Sequence, residues 1–254
     1  QLTLSIVART VFDVDIDEDA PAFGHALSDV IAILSRRTAM PWGGALYRMP
    51  LPSSRRFVRS QTLMNATIDE MFAQRRRRGL GGGDLLSRLM SAGDGADGLS
   101  EQDVRDETMT ILLAGHETTA VWLTWTLMAL AQHPHWAEAV RDEVRRVADD
   151  RPVIADDLPR LDVTDRVLRE SLRLYPPVWL VGRRALDDVT LGEHTLPKGV
   201  IVVLSQWVVH RDPRWYPHPE RFDPERWSAA ASADLPRFAF FPFGGGVRRC
   251  IGEG

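Results

Sequence analysis

The sequence predicts a mainly α-helical chain with a minor β portion. Apolar residues recur three and four positions apart through most of residues 2–175. One segment, about 101–133, holds a helical pattern without interruption until Pro134 forbids continuation. β-branched residues between turn glycines gather in one stretch, residues 188–204.

Residues 2–16 open on a helical pattern, and the acidic run Asp15 to Asp19 reads as the loop that follows. Residues 20–39 repeat the pattern, with Phe23, Leu27, Val30, Ile31 and Leu34 on one face. Residues 40–52 cannot be helical, because Pro41, Gly43, Gly44, Pro50 and Pro52 interrupt them. That loop is nonetheless apolar (Trp42, Leu46, Tyr47, Met49, Leu51), as a loop packed on its own domain would be. A third helix spans 54–78 and ends in Arg75 to Arg78, which reads as a solvated basic end complementing the helix dipole. A flexible break at 79–83, a short helix at 85–90 and an exposed turn at 93–98 follow.

Ser100 is placed to cap the long helix, with Asp103 three residues on as a variant capping box. At 1.5 Å per residue that helix is about 48 Å long. Its middle is apolar on nearly all sides, which predicts burial all round. Residues 135–149 form an amphipathic surface helix, and 158–175 contain a further helix stopped by Pro176 and Pro177. Strand-like pieces at 188–191, 194–197 and 200–204 turn at Gly192 and Gly199. There are no repeats and no long linker, so residues 1–254 read as one domain.

Composition narrows the function. The chain has 254 residues, 44% of them hydrophobic, and a net charge of −4, which argues against a nucleic-acid partner. A single cysteine excludes a disulfide framework and any multi-cysteine zinc or iron–sulfur centre. Lys198 is the only lysine, so arginine supplies nearly all the positive charge, as in GC-rich bacterial sequences. No stretch reaches the ~18 uncharged apolar residues of a membrane span, and no secretory signal opens the chain. The expected compartment is cytoplasmic. The start at Gln1 and the stop two residues after Gly252 suggest an internal piece of a longer protein.

The chemistry concentrates in four motifs. Residues 241–254 read FPFGGGVRRCIGEG, placing Cys250 after three glycines, Gly244 to Gly246, and beside Arg248 and Arg249. Glycine lets main chain approach a ligand closely, and neighbouring cations favour a thiolate. Alone, a single cysteine is as well explained as a small buried hydrophobe. Within the long helix, Ala114-Gly115-His116-Glu117-Thr118-Thr119 puts a glycine, a carboxylate and two threonines where they are locally unfavourable, as functional sites often do. His116-Glu117 is not a zinc-protease motif, because HExxH needs a second histidine where Ala120 stands. Glu170 and Arg173 share a helix face, as an ordinary ion pair would. Two successive segments, Pro219-Glu220-Arg221-Phe222 and Pro224-Glu225-Arg226-Trp227, follow.

Phe243, Gly246, Cys250 and Gly252 fill the pattern FxxGxxxCxG, and AGHETT fills AGxETT. With ESLR and PERF/PERW in the same order, the chain resembles the cytochrome P450 family throughout its length. The resemblance implies an incomplete cytochrome P450 fold, lacking the amino-terminal third and the helix after the cysteine loop. Residues 1–254 alone are therefore expected to hold haem poorly. It implies haem b (iron protoporphyrin IX), with Cys250 as the iron ligand. Phe243, Gly244, Gly246 and Gly252 would frame the loop, and Arg248 and Arg183 would be propionate partners. Ala114 and Gly115 would open space for oxygen and substrate, and Glu117 and Thr118 would feed protons. Glu170, Arg173 and a second arginine would form a buried network; Arg226 is favoured because Phe222 stands two residues before Pro224. Val178, Trp179, Leu180 and Val181 would line the substrate site, and residues 40–52 would form a flap over its entrance.

The implied activity is insertion of one oxygen atom from O2 into an apolar organic substrate. Electrons would come from NAD(P)H through a ferredoxin or reductase. Those apolar residues, with Trp122, suit a fatty acid, a terpene or an aromatic compound. The alternatives are a peroxide-driven haem-thiolate peroxygenase and a non-catalytic haem-binding protein on the same fold. Intact Glu117 and Thr118 argue against both. His210-Arg211-Asp212-Pro213 matches a recurring family segment without an assigned role.

Overall fold

The computed structural model describes residues 2–38, 51–92, 98–149 and 151–253. It is mainly helical with two small sheets, and its contacts gather into two compact units, Gln1–Glu117 and Thr118–Gly254.

In the first unit, α1 (Leu2–Phe12) is shorter than its apolar pattern suggests. Asp13 adopts φ +48°, and its N–H returns to the Arg9 carbonyl at 3.2 Å, the left-handed stop that a short polar side chain tolerates. The expected continuation to residue 16 is thereby cut at Phe12. Helix α2 (Ala20–Thr38) buries Phe23 and Leu27 but leaves Ile31 exposed. Helix α3 (Pro52–Arg78) begins at Pro52, which the sequence reading gave to a loop. Proline suits the first turn of a helix, where its missing N–H has no partner to lose. Most of the expected apolar flap, residues 40–50, lies outside the described residues, as does most of the 93–98 turn.

Helix α4 (Leu85–Ala92) and the first half of α5 (Glu101–Gln132) complete this unit. Their core joins Leu4, Ala8 and Phe12 of α1 to Phe23, Met64, Ile68, Met71, Phe72, Leu86 and Leu112. The basic end of α3 is not uniformly solvated. Arg75 is buried and donates to the Phe12 carbonyl (3.2 Å), the Asp13 carbonyl (3.1 Å) and Asp13 Oδ2 (2.8 Å), with Asp84 at 3.3 Å. It satisfies carbonyls left open where α1 ends. Ser100 and Asp103 do form the reciprocal cap of α5: Asp103 N–H donates to Ser100 Oγ at 3.1 Å, and Ser100 N–H donates to Asp103 Oδ2 at 2.9 Å.

In the second unit, α5 continues from Thr118. Thr126 and Ala129 are buried, and Thr126 Oγ1 bonds Ser171 Oγ at 2.8 Å, yet Leu127 is 66% exposed. All-round apolarity therefore does not give all-round burial within these residues. Helix α6 (Pro134–Ala148) carries buried Glu143 against α7 (Asp162–Leu174). The residue before α7, Leu161, offers no capping side chain. Glu143 takes that role from the neighbouring helix, accepting the N–H groups of Val163 and Thr164, each at 2.8 Å.

Strand β1 (Val181–Arg184) pairs antiparallel with β4 (Ile201–Leu204), setting Val181 opposite Leu204 and Arg184 opposite Ile201. The sequence reading missed β1, because only its distant partner makes it a strand. Strands β2 (Val189–Leu191) and β3 (His194–Leu196) form a hairpin closed at Gly192, whose φ of +59° glycine adopts without strain. A short helix α8 (Gln206–Val209), a 3-10 turn at Pro224–Trp227 and helix α9 (Ala229–Ser232) lead to the cysteine loop.

Candidate active site

At the centre of the second unit's polar contacts is a buried charge network. Glu170 and Arg173, on α7, are 0% exposed. Arg173 donates from Nε and Nη2 to the two Glu170 oxygens, each at 2.8 Å. Its other N–H groups reach the carbonyls of His210 (2.8 Å), Pro219 (2.7 Å) and Arg221 (3.1 Å). All five guanidinium donors are therefore used, which is the condition under which a buried ion pair is tolerated. Arg226 approaches from the 3-10 turn, with Nε 3.4 Å from Glu170 Oε1 and Nη2 donating to the His218 carbonyl at 2.9 Å. Arg221 instead contributes its carbonyl.

Two further donors close on Glu170: the Asp223 N–H at 2.9 Å and the Trp227 indole N–H at 2.9 Å. The tryptophan that departs from the PERF pattern thus adds a hydrogen bond that phenylalanine cannot make. Tyr216 lies beneath the Arg173 guanidinium at 5.0 Å and donates its hydroxyl to the Ala239 carbonyl at 3.0 Å. Burial raises its phenol well above the usual range. Trp227 and Tyr216 were discoverable only as aromatic residues with a polar tip near a buried charge.

The loop around Cys250 is a chain of tight turns. The Gly244 N–H donates to the Phe241 carbonyl at 2.9 Å, and the Cys250 N–H donates to the Phe243 carbonyl at 2.9 Å. Gly244 (φ +76°) and Gly246 (φ +68°) sit where a side chain would be strained. At Gly252 a Cβ would lie 3.9 Å from the Cys250 sulfur. Cys250 is a free, exposed thiol. Val247 and Ile251 stand almost wholly exposed beside it. Arg248 is exposed too, while Arg249 is paired to Glu253. A soft sulfur donor, flanking apolar side chains and an exposed guanidinium fit a flat apolar macrocycle that carries a metal and carboxylates. Among the described residues no three His, Cys, Asp or Glu side chains gather as a metal site.

On α5, Glu117 is exposed and Thr118 is partly buried. At Gly115 a Cβ would come 3.0 Å from Val7 Cγ2, so the glycine admits α1 against α5. Ala114 is exposed. His116 is buried with Nδ1 2.7 Å from Thr3 Oγ1, and burial lowers its pKa. Arg183 lies on β1, exposed, and donates to the Gly182 carbonyl at 2.9 Å. Val178 and Trp179 are exposed, and Leu180 and Val181 are partly buried. Trp122, partly buried, donates its indole N–H to the Leu168 carbonyl of α7 at 3.3 Å.

Comparison with known proteins gives one answer. The family described as Cytochrome P450 matches residues 1–254. The chain is 38% identical to the cyclooctat-9-en-7-ol 5-monooxygenase of Streptomyces melanosporofaciens, over 99% of its own length and 55% of the relative's. It is 35% identical to the pentalenene oxygenase of Streptomyces avermitilis, covering 99% and 56%. Among solved structures, the cytochrome P450DA heme domain superposes with a TM-score of 0.83 at 33% identity, covering 99% of this chain and 55% of that one. The chain thus spans about half the length of the relatives it matches. No helix among the described residues is long and apolar enough to cross a membrane.

Proposed function

This chain belongs to the cytochrome P450 family, and from that premise we propose that it supplies the thiolate-bearing and proton-handling part of a haem-thiolate monooxygenase. The observation that carries the reading is Cys250: a free, exposed thiol on a glycine-shaped loop, flanked by apolar side chains and Arg248. Cys250 would hold the iron of haem b. Arg248 and Arg183 would meet its carboxylates through charge-assisted bonds. Phe243, Gly244, Gly246 and Gly252 would set the loop, and Ala114 and Gly115 would belong to the distal wall. The haem, when bound, supplies reductive activation of O2 and transfer of one oxygen atom to a C–H bond.

The chain's own residues do the rest. Arg248, two positions from the sulfur and exposed, is free to reach a carboxylate of the bound group. Glu117, exposed, exchanges protons with water, and the partly buried Thr118 hydroxyl beside it passes a proton on. Glu170, Arg173 and Arg226 hold the segments around the loop and do no chemistry. Val178 to Val181 present apolar surface to the substrate, which we take to be a cyclic terpene. That choice follows the relatives named for pentalenene and cyclooctat-9-en-7-ol. Electrons come from NAD(P)H through a ferredoxin or reductase.

The test uses the full-length, haem-loaded protein. Its ferrous–carbon monoxide complex should show the red-shifted thiolate-type band, and Cys250→Ser should abolish it. Isotope-labelled O2 should deliver one labelled atom into a cyclic terpene when a redox partner is supplied. Persistence of the band in Cys250→Ser, or label absent from every product, refutes the assignment.

A further inference from the structure

His210 opens the His210-Arg211-Asp212-Pro213 segment and is fully buried. It touches both halves of the machinery in its unit. Its backbone carbonyl accepts Arg173 Nη1 at 2.8 Å, inside the buried ion-pair network. Its side-chain Nε2 lies 3.0 Å from the backbone N–H of Phe241, the first residue of the stretch that runs through Phe243 to Cys250. The ring is held between Phe240, 5.2 Å away by centroid, and Phe241, 5.4 Å away and edge-on.

The bond fixes the protonation state. A backbone N–H can only donate, so Nε2 must carry a lone pair and the ring proton must sit on Nδ1. Nδ1 makes no hydrogen bond of normal geometry. Looser backbone hydrogen bonds from the ring to Arg173 and Leu172 favour a ring proton but are outweighed. The Arg173 and Arg211 guanidiniums both disfavour a second proton, and burial disfavours it more.

We propose that His210 is a positioning residue for the proximal loop: its neutral imidazole, as acceptor for the Phe241 N–H, registers the Phe241–Cys250 turn against the Arg173 network. This rests on the haem-thiolate reading only for its consequence at Cys250; the registration of the loop stands without it. From Phe241 the constraint passes along bonds already described. The Phe241 carbonyl accepts from Gly244, and the Phe243 carbonyl accepts from Cys250. An aromatic ring alone would fill the same space but leave the loop's entry free to shift. Arg211 strengthens the anchor, donating to the Leu174 carbonyl at the end of α7 and lying 3.3 Å over the Trp207 ring.

The experiment compares His210→Phe with His210→Gln in the full-length protein. Phenylalanine keeps an aromatic ring and has no acceptor; glutamine offers Oε1 near the place of Nε2. In His210→Phe, amide exchange at Phe241 to Gly245 should quicken roughly tenfold or more. Exchange in α7 should stay within about twofold of wild type. Part of the ferrous–carbon monoxide thiolate-type band should move to the shorter-wavelength form of a displaced sulfur. His210→Gln should restore both. Uniform acceleration across the unit, or no rescue by glutamine, overturns the positioning role. Should His210→Phe fail to fold, the wild-type imidazole decides by nitrogen NMR at neutral pH: a neutral ring with its proton on Nδ1 supports the proposal, and a proton on Nε2 overturns it. A wild-type protein without the thiolate-type band would fail the haem-thiolate reading, and the exchange and tautomer results would still judge His210.

Discussion

Glu170→Ala is the sharpest test of the network beneath the loop. The carboxylate is 0% exposed and accepts four donors: Arg173 Nε and Nη2 at 2.8 Å, and the N–H groups of Asp223 and Trp227 at 2.9 Å. Alanine strands the Arg173 cation in a site that water does not reach, and breaking one half of a buried pair costs about 3–5 kcal/mol. The two abandoned N–H groups add about 1–3 kcal/mol each unless water enters the space. Even the lower end, about 5 kcal/mol, takes from a third to all of the stability of an ordinary domain, ~5–15 kcal/mol. Glu170→Ala should therefore yield little folded, haem-loaded protein. Glu170→Gln keeps the shape and one acceptor and should lie between the two. The double variant Glu170→Leu/Arg173→Met, with neither charge, should recover part of the loss, although the carbonyls of His210, Pro219 and Arg221 then lack their donor. Urea unfolding followed by circular dichroism measures all four proteins. A Glu170→Ala midpoint within about 1 kcal/mol of wild type would sink the argument, as would a double variant no better than the single ones.

Trp227→Phe removes only the indole donor to Glu170 and should cost about 2 kcal/mol by the same unfolding measurement, since bonds to charged groups sit near that value. Thr118→Ala should leave substrate binding unchanged in the full-length protein but lower the ratio of product to NAD(P)H oxidised, with the balance appearing as hydrogen peroxide; a constant ratio removes Thr118 from proton delivery. For pH, His210 sits at about 4 in the folded chain against an ordinary 6.5, driven first by burial and then by Arg173. The unfolded chain takes the proton first as pH falls, so stability drops between pH 6.5 and 4 and levels below that. The gap is worth about 3 kcal/mol. His210→Gln should flatten that part of the profile, and an unaltered slope would show that the titrating group lies elsewhere.

Local chemistry made much of this molecule legible. Ser100 and Asp103 announced the start of α5 because a capping box is complete within four residues. Glu170 and Arg173 announced a shared face because helical spacing is fixed, and the place of Phe222 pointed to the turn that carries Arg226. What stayed hidden depends on residues far apart in the chain. Arg75 looks like its three neighbours until the end of α1 arrives over it. Gly115 gives no local sign that Val7 of α1 packs against it. Strand β1 carries two arginines and a glycine and becomes a strand only by pairing with β4. His210 was visible as part of a motif, but its use of Nε2 depends on Phe241, 31 residues later.

Glu143 makes α7 a dependent helix. Its two free N–H groups are closed by a carboxylate that belongs to α6, and Leu161 cannot substitute. Closing them from a neighbouring helix ties the start of α7 to the packing of α6. Displacing α6 would therefore leave both groups open and weaken the first turn of α7 by about 0.5–2 kcal/mol, the ordinary worth of a helix cap. The Arg173 fork lies three turns further along, so a substitution at Glu143 reaches it only through the helix between them.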